Sequence, residues 1–329
     1  MTADTVVLTD HPWPDLSVER EMIEAAGYRL VVGPISEGSA EQTEQLVAQH
    51  DPVAIMTCWA PVTGRAIAAS SRLRIVARMG VGLDNIDIPA TTARGAWVTN
   101  IPDYCVEEVS DHVVALLLAA WRGVTVLDRR AKQGLWQPSA APTLRRVANR
   151  CVGIIGYGHI GKRTAHKLAN GFGCRVLVNS PSLLATHADL APLAERIAVA
   201  HLSTLQREAD AIVLNLPLTP DTHHLIDAEF LRACAARRPW LVNVSRGGLV
   251  DTEALLAALD QRWLSGAALD VIESEPSPPP ELLQREDMII TPHIAFTSDA
   301  SLLELRQRAS AEVLRVLRNE RPLHPCNVI

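Results

Sequence analysis

Short apolar runs alternate with amphipathic stretches of about ten residues along most of the chain. Residues 5–8, 29–32, 52–56 and 73–78 are runs of strand type. Between them, 18–26, 40–50 and 63–70 read as helices, the first stopped by Gly27. Strands alternating with helices of this length predict a parallel sheet with helices on both faces, hence an α/β fold. A helix over 88–94 and a strand over 97–100 complete this part, and Ile101-Pro102 interrupts the pattern. The alternation resumes with strands over 152–155, 175–178, 211–216, 240–244, 267–271 and 288–291. Helices over 162–170, 202–208, 229–235 and 252–260 lie between them. The pattern therefore predicts two doubly wound parallel-sheet domains. Residues 276–280 are a stiff surface loop, and 302–317 close the chain as a helix with i, i+3, i+4 apolar spacing.

One helix stands apart. Residues 106–122 carry Glu107, Glu108 and Asp111 in their first turns, which suits the positive end of the helix dipole. The apolar side through Val109, Val113, Val114 and Leu116 to Leu118 is broad enough to predict burial between layers or in a subunit interface.

Composition narrows the setting. The chain has 329 residues, enough for two domains, with 48% apolar and 21% charged residues. A net charge of −6 gives no reason to expect nucleic acid or an anionic membrane as partner. Six scattered cysteines without a C-x-x-C pair read as reduced, buried thiols. The N-terminus has no basic flank leading into an apolar stretch, and the longest apolar run, 113–121, is shorter than the ~20 residues that span a bilayer. The expected location is the cytoplasm.

The candidate chemistry sits at strand ends. After the run 152–155 come Gly156, Gly158 and Gly161 in G-x-G-x-x-G spacing, then a helix. In such a turn the first glycine allows the tight bend, the second lets a pyrophosphate approach the backbone, and the third lets helix and strand pack closely. Free N–H groups at the helix N-terminus favour phosphate. Gly80 and Gly82 follow another strand. They either bring backbone N–H groups to a ligand crevice or simply turn the chain. Arg246, Asp270 with Glu275, and His293 each follow an apolar strand. A basic, an acidic and an imidazole group on the sheet edge that holds a dinucleotide are what carbonyl reduction needs. His223 and His224 read as loop or helix-start residues rather than a metal pair. Trp59 follows the third strand, where it borders a pocket or packs.

These motifs in order, with Asp84-Asn85-Ile86-Asp87, Leu216-Pro217-Leu218-Thr219-Pro220 and Asn243 to Asp251, resemble those of the D-isomer-specific 2-hydroxyacid dehydrogenase family. The resemblance implies a flavodoxin-like substrate domain over 1–102 and 297–329, and an NAD(P)-binding Rossmann domain over 103–296. It implies an NAD(P)-dependent oxidoreductase acting on a D-2-hydroxy acid or 2-keto acid, as a homodimer through the nucleotide domain, with helix 106–122 suited to the interface. Arg246 would bind the substrate carboxylate and polarise the carbonyl, and His293 would be the acid–base group. Glu275 would pair with His293 and hold it protonated. The backbone of Val81 and Gly82 would hold the carboxylate's other side. Cofactor contacts would come from Gly156, Gly158, His159, Ile160, Gly161, Ser180, Leu216, Pro217, Thr222, Val244, Ser245, Arg246, Asp270 and His293. Asp270 would lie near the nicotinamide carboxamide. No metal is implied.

Ser180 stands where such NAD sites usually place an acid for the ribose 2′-OH. Nothing there repels a 2′-phosphate, yet no Arg or Lys directly follows to bind one, so NAD is expected and NADP left open. Residues 57–61 and 79–83 suggest a mid-sized, partly apolar substrate pocket. Pro102 to Cys105, His293 to Phe296 and Ser301-Leu302 also resemble the branch containing carboxyl-terminal binding protein. That raises an alternative, a nucleotide-sensing binding protein on the same scaffold. The complete set of Arg246, Glu275 and His293 favours turnover, because a scaffold needs none of it.

Overall fold

The computed structural model describes residues 3–35, 38–140 and 144–329. The chain divides into two compact units, Met1–Tyr104 with Ser298–Ile329, and Cys105–Thr297.

The first unit is a five-stranded, wholly parallel sheet. Its strands are β1 (Thr5–Leu8), β2 (Arg29–Val32), β3 (Ala54–Thr57), β4 (Ile75–Arg78) and β5 (Trp97–Thr99), in the order β2-β1-β3-β4-β5. β1, β3 and β4 are buried along their whole length, as parallel strands covered on both faces must be. The closing helix, Asp299–Leu317, starts three residues before the apolar periodicity does. Ser298 and Ser301 form a reciprocal cap there, and serine in the place of the usual Glu or Gln hides that signal in the sequence. This helix packs on Ser17–Ala25 through a buried ion pair. Arg306 Nη2 lies 2.7 Å from Glu19 Oε2, and its guanidinium carbon lies 5.2 Å from the Trp13 ring centroid.

The second unit is an eight-stranded sheet. It comprises β6 (Cys151–Ile155), β7 (Arg175–Asn179), β8 (Pro192–Ala194), β9 (Ile197–Val199), β10 (Ala211–Leu214), β11 (Trp240–Asn243), β12 (Gly266–Leu269) and β13 (Met288–Ile290). The order is β13-β12-β11-β10-β6-β7-β9-β8, parallel except for the β8–β9 pair. The order reverses between β6 and β10, the point where such sheets bind ligands. The helix after the glycine turn begins at His159, earlier than the sequence suggests, and takes Gly161 into its first turns.

Helix Val106–Arg122 packs Val113, Leu116, Leu117 and Trp121 against Val152, Ile154 and Val242 of this sheet. Of the two expectations for its apolar side, burial between layers is what the fold shows for these residues, while Leu118, Ala119 and Ala120 are only partly buried. The next helix, Val124–Lys132, has no buried residue. Among the described residues no single helix is long and apolar enough to cross a membrane. The six cysteines are free thiols, and burial pushes Cys151 and Cys174 to about 11 and Cys234 to about 12.

Candidate active site

The glycine turn leaves β6 at Gly156, which has φ +97° and accepts no side chain, since a Cβ would lie 2.0 Å from the Asn215 carbonyl oxygen. A Cβ on Gly161 would lie 2.2 Å from the Gly156 carbonyl oxygen, so this glycine sets the helix against the turn. Gly158 differs. Nothing lies within 4 Å of the position its Cβ would take, and it caps helix His159–His166. Two glycines thus serve the packing and one leaves open space at a helix N-terminus, which fits a dinucleotide pyrophosphate. His159 is exposed and Ile160 half-buried in the first helical turn.

Flanking segments are fastened by their own hydrogen bonds. The Thr222 hydroxyl donates to the Pro217 carbonyl at 2.8 Å and accepts from the Thr219 N–H at 2.8 Å, closing the loop that begins at Leu216. The Ser245 hydroxyl donates to the Leu214 carbonyl at 2.8 Å, tying the ends of β10 and β11. Ser180 directly follows β7, with its hydroxyl 3.0 Å from that of Ser182.

Arg246 lies three residues past β11, Asp270 directly after β12, and His293 three past β13. These strands are neighbours in the sheet, so their ends are about 5 Å apart in sequence of order. Arg246 is half-buried beside Val244, and its Nη1 donates to the Ser245 carbonyl at 2.7 Å. His293 Nδ1 lies 2.8 Å from Glu275 Oε2, while Glu275 Oε1 accepts the Ile272 N–H at 2.9 Å. An ionised carboxylate only accepts, so Nδ1 is the donor in this pair. His293 takes φ +52°, an uncommon conformation for a non-glycine residue.

The Asp270 carboxylate is 2% exposed. It accepts from the Ile294 N–H at 3.0 Å, the Ala295 N–H at 2.9 Å and the Thr291 hydroxyl at 2.6 Å, so it grips the turn that carries His293. The sequence does not reveal this grip, because its partners lie more than twenty residues away.

In the first unit, Gly80 follows β4 with φ +155°, and the loop is fastened by Asn100 Nδ2 donating to the Val81 carbonyl at 2.7 Å. Val81 is exposed and Gly82 half-buried. Trp59 is half-buried, and its backbone N–H donates to Asp10 Oδ2 at 2.7 Å.

His223, His224 and Glu273 place ligand-type atoms within 4.8 Å of one another. The two rings stack at 3.9 Å with 27° between planes. His224 Nε2 lies 2.5 Å from Glu273, which also accepts from the Thr252 N–H at 2.9 Å and hydroxyl at 2.6 Å. Burial alone would raise the Glu273 carboxyl, but the hydrogen bonds from Thr252 and His224 outweigh it and hold it below the usual range. The cluster joins two loops.

Residues 114–295 match the family model described as "D-isomer specific 2-hydroxyacid dehydrogenase, NAD binding domain". A glyoxylate reductase of Korarchaeum cryptofilum is 37% identical over 266 residues, 80% of this chain and 78% of that one. A D-3-phosphoglycerate dehydrogenase of Mycobacterium bovis is 37% identical over 259 residues, 78% of this chain and 47% of that one. The crystal structure of an NADPH-dependent glyoxylate/hydroxypyruvate reductase from Sinorhizobium meliloti, in complex with NADP and malonate, superimposes with a TM-score of 0.83. It is 26% identical and covers 98% of this chain and 96% of that one.

Proposed function

The chain belongs to the D-isomer specific 2-hydroxyacid dehydrogenase family, and within its NAD(P)-dependent hydride transfer on 2-hydroxy and 2-keto acids we propose that it reduces a small 2-keto acid of the glyoxylate or hydroxypyruvate type. The relatives named glyoxylate reductase support that size class. The observation that carries the site assignment is the His293–Glu275 pair at 2.8 Å, on the same sheet edge as the open Gly158 turn.

A bound nicotinamide would supply the hydride at the carbonyl carbon. Arg246 holds the substrate carboxylate with its planar fork and orients the carbonyl. His293 Nε2 gives its proton to the carbonyl oxygen as this becomes a hydroxyl, and takes it back in the reverse direction. Glu275 fixes the ring and its tautomer.

Ser180 can donate or accept, so it tolerates either a ribose hydroxyl or a 2′-phosphate. NADH is the preferred cofactor, with NADPH also accepted. The protein is a cytoplasmic homodimer. The helix Val124–Lys132, without a buried residue, and the neighbouring Trp136 at 85% exposure support pairing through this part of the nucleotide-binding unit. Trp136→Lys is expected to halve the mass measured by light scattering. Following NADH and NADPH absorbance with glyoxylate, hydroxypyruvate and bulkier or phosphorylated 2-keto acids tests the substrate reading. Turnover confined to phosphorylated acids would refute it.

A further inference from the structure

Helix Val106–Arg122 carries a histidine that the chemistry above does not use. His112 is 20% exposed, and its Nε2 lies 3.0 Å from the Thr291 hydroxyl oxygen and 3.6 Å from Asp270 Oδ1. The Thr291 hydroxyl has one proton, and at 2.6 Å the ionised Asp270 carboxylate can only accept it. Toward His112 the same oxygen is therefore an acceptor, and His112 Nε2 must be the donor. The chain of bonds then has one direction, from His112 Nε2–H to Thr291 Oγ1–H to Asp270 Oδ1.

This chain ends in the group that shapes the catalytic turn. Asp270 accepts the N–H groups of Ile294 and Ala295, and its backbone carbonyl accepts the His293 N–H at 2.8 Å. His293 is held at φ +52°, where a non-glycine residue stays only if its surroundings over-determine it. The Thr291 hydroxyl is bonded on both sides, so its rotor cannot turn away from Asp270. A helix buried against the sheet thereby braces the residue two positions before His293.

We propose that His112 is a positioning residue for the reaction. It acts through Thr291 and Asp270 to hold His293 where Nε2 meets the carbonyl oxygen, and it touches neither substrate nor cofactor. The proposal rests on His293 being the acid–base group. Removing the donor should leave the keto acid and the dinucleotide bound as before while the proton donor is misplaced.

The test measures kcat and KM for glyoxylate reduction and Kd for NADH by fluorescence titration, with Tm as a folding control. The variants are His112→Leu, His112→Gln, Thr291→Val and the double variant His112→Leu/Thr291→Val. His112→Leu should lower kcat by roughly ten- to a hundred-fold, the scale of a small misplacement at a reacting centre. KM and Kd should stay within about twofold. His112→Gln keeps a donor at the same reach and should recover most of the loss. Thr291→Val should match His112→Leu, and the double variant should be no worse than either, since both break one chain of bonds. If His112→Leu does not fold, His112→Gln and Thr291→Val carry the comparison.

Wild-type kcat in His112→Leu or Thr291→Val would overturn the proposal. So would a loss in His112→Gln as large as in His112→Leu, together with a matching fall in Tm, because that marks a purely structural role. Active wild type with fully active His293→Ala would refute the underlying site reading instead, and absent wild-type turnover would refute the functional reading; either takes the positioning role with it.

Discussion

The two sheets use the same device at their carboxyl edges, and the loops it holds present different side chains. In the first unit, Asp10 follows β1 and is fully buried. It accepts the N–H groups of Cys58, Trp59 and Ala60, at 3.0, 2.7 and 3.1 Å, from the loop after the neighbouring strand β3. In the second, Asp270 follows β12 and grips the loop after its neighbour β13 in the same manner. A buried carboxylate that bonds a row of N–H groups fixes a loop as firmly as regular structure does. The loop held by Asp10 carries a thiol that burial, with the Asp10 charge beside it, pushes far above its usual range. The loop held by Asp270 carries an imidazole paired to Glu275. The scaffold is common to both units, and the chemistry lies in what the gripped loop presents.

The sharpest way to break this comparison is to delete the group presented. His293→Ala should lower turnover by roughly 10²–10⁴-fold while cofactor affinity stays within about twofold, measured by steady-state assay and fluorescence titration. The next is to delete the grips themselves. Asp10→Ala removes the acceptor shared by the backbone N–H groups of Cys58, Trp59 and Ala60 and should destabilise the protein by about 2–4 kcal/mol in chemical denaturation. Asp270→Ala should show a comparable loss of stability and, unlike Asp10→Ala, a fall in kcat at temperatures where it is folded.

A smaller effect separates packing from binding at the glycine turn. Gly158→Ala should keep its Tm and weaken NADH binding roughly tenfold, because the added methyl meets no protein atom but occupies the phosphate approach. Gly156→Ala should lose stability instead, from its close contact and positive φ.

The smallest effect concerns pH. The Glu273 carboxyl is depressed on folding, so its contribution is present above the unfolded value of about 4.3 and is lost as pH falls through the lower folded value. Glu273→Gln should therefore flatten the fall of Tm on acidification below pH ~5, by about 2 °C or less.

Much of this architecture could be read from the chain before folding was considered. Strands such as Ala211–Leu214 are covered on both faces and so appear as unbroken apolar runs. Arg246, Glu275 and His293 stood out because each follows such a run. The three-residue strands Pro192–Ala194 and Ile197–Val199 were illegible, being too short to show a period. Helix Val124–Lys132 was hidden for another reason, since it buries no residue and so has no stripe for the chain's own core. Asp10 and His112 are the instructive omissions. An acid after a strand or a histidine within a helix is unremarkable until its partners arrive, and these lie 48–50 and 179 residues away.

One paired measurement bears most directly on the central claim. Wild type and His293→Ala would be titrated with NADH and then assayed with glyoxylate and hydroxypyruvate under the same conditions. The expected result is equal NADH affinity in both proteins, with oxidation of NADH in the wild type alone. Equal turnover in the variant, or wild type that binds NADH and oxidises it with neither acid, would contradict the assignment.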